Sequence, residues 1–126
     1  MERKGAVANK IVRKDEVWLG DLGQSDGSVQ GGVRPVLVTS NNRGNARSNV
    51  VQVVAITSSL TKSKLPTHVH IAAEDVGFIK DSIIQFEQSF TLNKETRLQY
   101  KLFDLPEKYY PLVDRAFEIA HSRSFD

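Results

Sequence analysis

The β-prone runs of this chain all come first, and helical periodicity appears only near its end. "EVWLGDL" (Glu16 to Leu22) alternates in character and reads as a first strand, followed by the polar, glycine-containing loop "GQSDGSVQGG". "RPVLVTS" (Arg34 to Ser40) is a second strand, with Pro35 at its start because proline brings no N–H to a ladder. The turn-rich loop "NNRGNARSN" precedes "VVQVVAITS" (Val50 to Ser58), the most strongly β-prone stretch of the chain. After the loop "SLTKSKLP" comes "THVHIA", a short strand alternating between two faces. "EDVGFIKD" then turns into "SIIQFEQSFTL", which reads as one bent strand or two. Beyond Leu92 the texture changes, and "NKETRLQYKLFDL" predicts a short helix ending near Asp104. "PEKYY" adds a separate turn. The main helix is predicted over Pro111 to Ser122, with proline in its first turn and Val113, Ala116, Phe117 and Ala120 on one side. Five or six strands followed by helices argue for an α+β fold, a small antiparallel β-barrel with helical packing, and against alternating α/β.

A chain of 126 residues with 40% hydrophobic content suits one compact domain, residues 1–126, with residues 1–13 set apart as an N-terminal extension of open order. The absence of cysteine excludes a disulfide framework, a thiol nucleophile and a thiolate metal site. "MERKGAVANKIV" is basic but lacks the continuous apolar core of a signal peptide. No stretch approaches the roughly 18 to 20 apolar residues of a membrane-spanning helix. The expected location is therefore the cytoplasm, with no membrane partner. The net charge of +2 is far from that of a dedicated nucleic-acid arm. Basic residues do cluster: Arg3, Lys4, Lys10, Arg13 and Lys14, then Arg34, Arg43 and Arg47, then Lys62 and Lys64. Taken singly, each reads as solvated surface.

His68 and His70 stand two apart on a predicted strand and so share a face, as a metal pair or an acid/base pair would. A polar strand face accounts for them better, because no motif such as HExxH brings further ligands. There is no GxSxG elbow for a serine hydrolase. Gly31 and Gly32 precede a strand and no Gly-Lys-Ser/Thr follows, so a phosphate loop is excluded. Arg34 remains. Its guanidinium is a planar fork of donors suited to phosphate oxygens, and the glycines beside it allow a sharp turn or a close approach. The plainer account is an ion pair with Glu16 or Asp21 across the sheet. Thr57, closing a β-branched strand, is ambiguous in the same way.

"VWLGDL", "GSVQGGVRPVLV", "VVAITSSLTKSKLPTHVHI" and "GFIKDSIIQFEQSFTL" occur in the order and spacing of MazF-type (PemK-like) toxins. The chain resembles that family from about Val17 into the last helix. The resemblance implies an SH3-like β-barrel with attached helices, assembled as a homodimer. It further implies a sequence-specific, metal-independent endoribonuclease that cuts single-stranded RNA, leaves 2′,3′-cyclic phosphate and 5′-hydroxyl ends, and uses no cofactor. A cognate antitoxin would inhibit it by covering the RNA groove. The family's catalytic arginine and threonine fall on Arg34 and Thr57. Some members have an arginine and an aspartate where this chain has Gln85 and Glu87, so Glu87 either keeps a general-base role or helps read a base. Ser28, Gln30, Gly31, Gly32, Pro35, Ser58, Ser82 and Gln88 fall at RNA-contacting positions. Many relatives read GSEQGGxRP, whereas Val29 replaces the glutamate here, and valine cannot accept from a base amino group. Two other classes share the expected architecture: a CcdB-like topoisomerase poison, which has no need of Arg34, and a catalytically silent RNA- or peptide-binding barrel.

Overall fold

The computed structural model describes residues 10–58 and 65–123. Arg3, Lys4, Lys62 and Lys64, most of the expected "SLTKSKLP" loop and most of the N-terminal extension lie outside them. The described residues form six strands: β1 (Glu16–Asp21), β2 (Val33–Val38), β3 (Val50–Thr57), β4 (His68–Ile71), β5 (Ser82–Asn93) and β6 (Leu98–Asp104). They form one antiparallel sheet in the order β4-β5-β3-β2-β1-β6. Four helices accompany it: α1 (Asn42–Arg47), α2 (Ala73–Val76), α3 (Lys94–Arg97) and α4 (Tyr110–Ala120), the last preceded by a 3-10 turn at Glu107–Tyr109. The α+β class expected from the order of elements is the one observed.

Each face of the sheet meets its own apolar cluster. On one face Val17, Leu37, Val54, Ile56, Val69, Ile71, Ile84 and Phe86 pack beneath Tyr109, Val113 and Ala116, so α4 covers it. Phe117, expected on the same side of that helix, packs edge-on against Phe86 of that cluster, with ring centroids 6.4 Å apart, at its solvent margin. On the other face Trp18, Val36, Val38, Val51, Val53, Leu92 and Leu98 form one buried cluster. Those residues come from β1, β2, β3, β5 and β6, which can converge only if the sheet curls around them, as a barrel wall does. Gly20 sits inside the curl, where a Cβ would lie 3.2–3.4 Å from Val36, Leu92 and Leu98.

The run "SIIQFEQSFTL" is a single strand with a break in register. Val54 pairs with Ser89 but Ala55 pairs with Gln85, leaving Phe86, Glu87 and Gln88 without partners on β3. The bulge reverses the strand's alternation: Ile84 and Phe86 face the helix-covered cluster, whereas Phe90 and Leu92 face the curled one.

Two expectations are corrected. "NKETRLQYKLFDL" is helical only over Lys94–Arg97, and from Leu98 it becomes β6, paired with β1. Leucine, glutamine and lysine favour helix locally, but the unpaired N–H and C=O groups along β1 recruit the segment as a strand. Conversely, "NNRGNARSN" holds α1 within what reads as a loop, started by the Asn41 side chain accepting from Gly44 N at 2.9 Å.

Candidate active site on the open half of the sheet

The face that buries Val36 and Val53 does not stay covered along its whole length. Across the sheet His68, Gln85, Ala55, Val36 and Trp18 are successive cross-strand partners. Two residues outward on β3 and β2 stand Thr57 and Arg34, on the same face by the period of two. Both line one cavity of about 740 Å³ together with Pro35, Ser58, Gly77, Phe78, Ile79, Lys80 and Ser82. Thr57 is 9% exposed at its wall.

Arg34 makes neither of the ion pairs its plainer account requires. Glu16 faces Lys101 at 3.1 Å and accepts from the Trp18 indole at 2.9 Å. Asp21 accepts from Gly23 N at 2.8 Å and faces Arg97 at 3.6 Å. The Arg34 Nε instead donates to the Gly31 carbonyl at 3.1 Å. That bond fixes the guanidinium plane and leaves the Nη end with no acidic partner among the described residues. A cation so oriented and unpaired is suited to an external anion.

The two glycines of the loop serve different ends. A Cβ on Gly31 would stand 2.3 Å from Ser25 N and 2.6 Å from Ser25 Cα, so close approach of backbone to backbone demands glycine there. Gly32 has open space but φ +76°, a left-handed conformation that other residues adopt at a cost. The loop they shape surrounds a second cavity of about 430 Å³, lined by Ser25, Gly27, Ser28, Val29, Gln30, Gly31 and Gly32. Arg34 lines this cavity too, and so stands between the pair.

Gln88, aimed by the β5 bulge, latches that loop. Its Oε1 accepts from Gln30 N at 3.1 Å and its Nε2 donates to Ser28 O at 2.8 Å. Glu87, beside it, lines neither cavity. Its carboxylate accepts from Thr67 Oγ1 at 2.9 Å and meets His68 Nε2 at 2.9 Å. Burial pushes the Glu87 carboxyl upward, but hydrogen bonds from His68, its own backbone N–H and Thr67 outweigh it and hold the group below the usual 4.5. An ionised carboxylate with both oxygens engaged is a poor candidate for the general base. His68 is thus committed to Glu87, and no group of three or more metal-ligating side chains gathers among the described residues. Behind this pair Gln85 is 0% exposed and neither atom of its amide has a partner among the described residues. Each such orphan costs on the order of 1–3 kcal/mol.

The structure therefore brings Arg34, Thr57, Pro35, Ser58 and Ser82 to one cavity and Ser28, Gln30, Gly31 and Gly32 to its neighbour, with Gln88 as latch and Glu87 apart. Sequence reasoning missed Gly77 to Lys80, the far wall of the larger cavity. Ile79 there is 99% exposed, and Lys80 adds a second cation with no ion pair among the described residues. Two adjacent apolar side chains, Phe78 and Ile79, between a glycine and a lysine in a turn were the available signal. Among the described residues no helix is long and apolar enough to cross a membrane.

This architecture and sequence have counterparts among known proteins. Over 110 residues the chain is 46% identical to the endoribonuclease EndoA of Bacillus subtilis, covering 87% of this chain and 94% of that one. A crystal structure of MazF from Deinococcus radiodurans superposes with a TM-score of 0.73 at 20% identity, covering 87% of this chain and 96% of that one. A mycobacterial endoribonuclease solved in complex with its cognate antitoxin gives 0.71 at 21% identity, covering 91% and 99%. Residues 13–121 match the family described as PemK-like, MazF-like toxin of type II toxin–antitoxin system, and the chain belongs to that family.

Proposed function

We propose that this chain is the toxin of a toxin–antitoxin pair. It is a sequence-specific endoribonuclease that cuts single-stranded RNA in the cytoplasm, arrests translation and growth, and is silenced by a cognate antitoxin laid over the same face. It works as a homodimer, as the family resemblance implies. The observation that carries the reading is Arg34: Nε held by Gly31 O at 3.1 Å, no acid engaged, and Thr57 lining the same cavity.

The chemistry follows from charge. When a ribose 2′-hydroxyl attacks the adjacent phosphorus, a 2′-O–P bond forms, the P–O5′ bond breaks and negative charge grows on the non-bridging oxygens. The 2′ proton leaves and the departing 5′ oxygen gains one, giving a 2′,3′-cyclic phosphate and a 5′-hydroxyl. The Nη donors of Arg34 and the Thr57 hydroxyl stabilise that charge from fixed positions, so the step needs no metal ion or other cofactor. Arg34 acts first as a preorganised cation. Ser28, Gln30 and Val29 line the loop cavity beside it and contact the RNA there, while Ser58, Ser82 and Pro35 contact it across the larger one.

The test is cleavage of a long single-stranded RNA in excess EDTA by the wild type and by Arg34→Ala, with the cut ends mapped. Cuts at a short recurring sequence with cyclic-phosphate ends, lost in the variant, support the reading. No cutting by the folded, antitoxin-free wild type overturns it and favours a topoisomerase poison or a silent binder.

A further inference from the structure

At the other end of the strands that carry Arg34 and Thr57 lies a separate cavity of about 300 Å³. It sits where α1 joins the end of β2 to the start of β3, so the length of β3 parts it from Thr57, about 23 Å at the rise of a strand. Four cations line it, Lys10, Arg13, Arg47 and Lys94, against one carboxylate, Glu95. Lys10 and Glu95 are spent on each other's backbone: Lys10 Nζ donates to the carbonyls of Glu95 and Leu98, and Glu95 Oε1 accepts from Lys10 N at 3.1 Å. Arg13 and Arg47 are exposed and pair with no acid among the described residues. Lys94 is the unexpected member. It is 7% exposed, has no acidic partner among the described residues, and its Nζ donates to Asn45 O at 2.7 Å. That bond ties α3 to α1 and accounts for one of the three ammonium donors. A cation withdrawn from water with donors left over is costly unless an anion completes its shell.

We propose that this cavity binds a phosphate group through Lys94, Arg47 and Arg13. The three cations come from three segments: the stretch before β1, the last turn of α1 and the first residue of α3. They therefore surround a ligand from several sides. A phosphomonoester presents three terminal oxygens to such a set, whereas a carboxylate presents two in one plane. Asn42 adds a neutral donor, because its Oδ1 accepts from Lys14 N at 2.6 Å and its NH₂ is left to donate. Lys94, buried and held by Asn45, is the rigid member of the site, and the arginines are its exposed members. The cavity shares no lining residue with that of Arg34 and Thr57, so it holds a phosphate remote from the reacting bond. The phosphate belongs either to an RNA strand running on from the cut or to a free phosphorylated compound, since the recognition chemistry is the same. Only the RNA source rests on the endoribonuclease reading above.

The test titrates inorganic phosphate into the full-length wild type and follows backbone amide and lysine ammonium shifts by NMR, which reads the two cavities separately. Saturable shifts at Asn45, Ser48, Asn49 and Lys94 Nζ are expected. Drift without saturation, or equal binding of acetate, overturns the proposal. Lys94→Met keeps the buried stem and removes the charge, while Arg47→Gln removes an exposed charge on which the fold does not depend. Each is expected to weaken phosphate binding there by at least about tenfold and to leave any shift at Gly31 and Gly32 unchanged. Arg47→Gln binding as tightly as wild type overturns the proposal even where Lys94→Met fails to fold. A nucleoside monophosphate, and a single-stranded RNA offered to Arg34→Ala, then separate the sources. RNA that moves both cavities, and is weakened by adding Arg47→Gln, assigns the site to the RNA backbone. A monophosphate that moves the α1 cavity while RNA leaves it untouched assigns it to a free phosphorylated ligand, and neither moving it overturns the phosphate assignment.

Discussion

Replacing Gly31 by alanine places a methyl group 2.3 Å from Ser25 N, 2.6 Å from Ser25 Cα and 2.8 Å from Ser25 Cβ. Ordinary van der Waals contact begins near 3.4 Å, so backbone must move by about 1 Å. The Ser25 side has little room to yield: Asp26 and Val29 exchange backbone hydrogen bonds of 3.2 and 2.9 Å, and Gly32 N donates to Gly23 O at 2.7 Å. The displacement is therefore passed to Gly31 itself, whose carbonyl holds Arg34 Nε. Overpacking of this kind costs about 1–3 kcal/mol, a melting shift on the order of 3–15 °C for a chain this size. A misplacement of about 1 Å in a positioned catalytic group costs about 100-fold in rate. The expected outcome is a folded variant with kcat on RNA down about two orders of magnitude. Two controls sharpen it. Ser25→Gly added to Gly31→Ala relieves only the 2.8 Å contact, so the double variant stays impaired. Gly32→Ala meets no neighbour and suffers only the strain of φ +76°, so it loses stability without a comparable fall in turnover. Gly31→Ala with cleavage within a few-fold of wild type refutes the claim that the loop aims Arg34.

Arg34→Lys keeps the charge but loses both the Nε anchor on Gly31 and the fork; kcat should fall by at least about 100-fold, and near-full activity would reject any need for the fork. Glu87→Gln tests linkage. The folded-state carboxyl lies below its usual 4.5, so its contribution to stability is present above that value and lost as pH falls through the lower folded value. In urea denaturation the gap between wild type and Glu87→Gln should be widest near about pH 7 and close in acid; a gap constant with pH would contradict this. Tyr109→Phe deletes a hydroxyl that accepts from Ala72 N at 3.0 Å and donates to Asp75 at 2.5 Å, tying α2 to the start of α4. A cost of about 1–3 kcal/mol is expected in the same assay, and no change would mean the tie contributes nothing.

Much of the fold was legible because its strands carry their own pattern. β3 is almost continuously apolar or β-branched, α4 announces itself with a proline in its first turn, and the glycine pair marks the loop before β2. β6 was not legible. Its Gln99, Tyr100 and Lys101 are all exposed, so it shows no alternation, and it is a strand only because β1, some 80 residues earlier, needs a partner. The candidate site divides in the same way. That Arg34 and Thr57 belong together came from resemblance to a family, since alone each had an adequate structural account. What separates the readings is where Glu16 and Asp21 spend their charge, a matter of long-range pairing that no local pattern encodes. The Gly77 to Lys80 wall was hidden for a simpler reason: its apolar pair, Phe78 and Ile79, reads equally well as core, and only the fold shows that Ile79 is exposed beside a cavity.

One sheet face serving two purposes explains why the bulge in β5 matters to both. If alternation ran unbroken from Ile84 to Leu92, the side chains of Phe90 and Leu92 would fall on the helix-covered face. The curled cluster would then lose them. The break at Phe86 to Gln88 lets one half of β5 close the core beneath Trp18 and the other half bury Ile83 and Gln85 on the face that carries Thr57. The same three residues project Gln88 toward the loop and Glu87 toward His68. A deletion that restored regular pairing would therefore not trade stability for activity or the reverse. It would lose both together, because the register that packs the core is the one that aims the site.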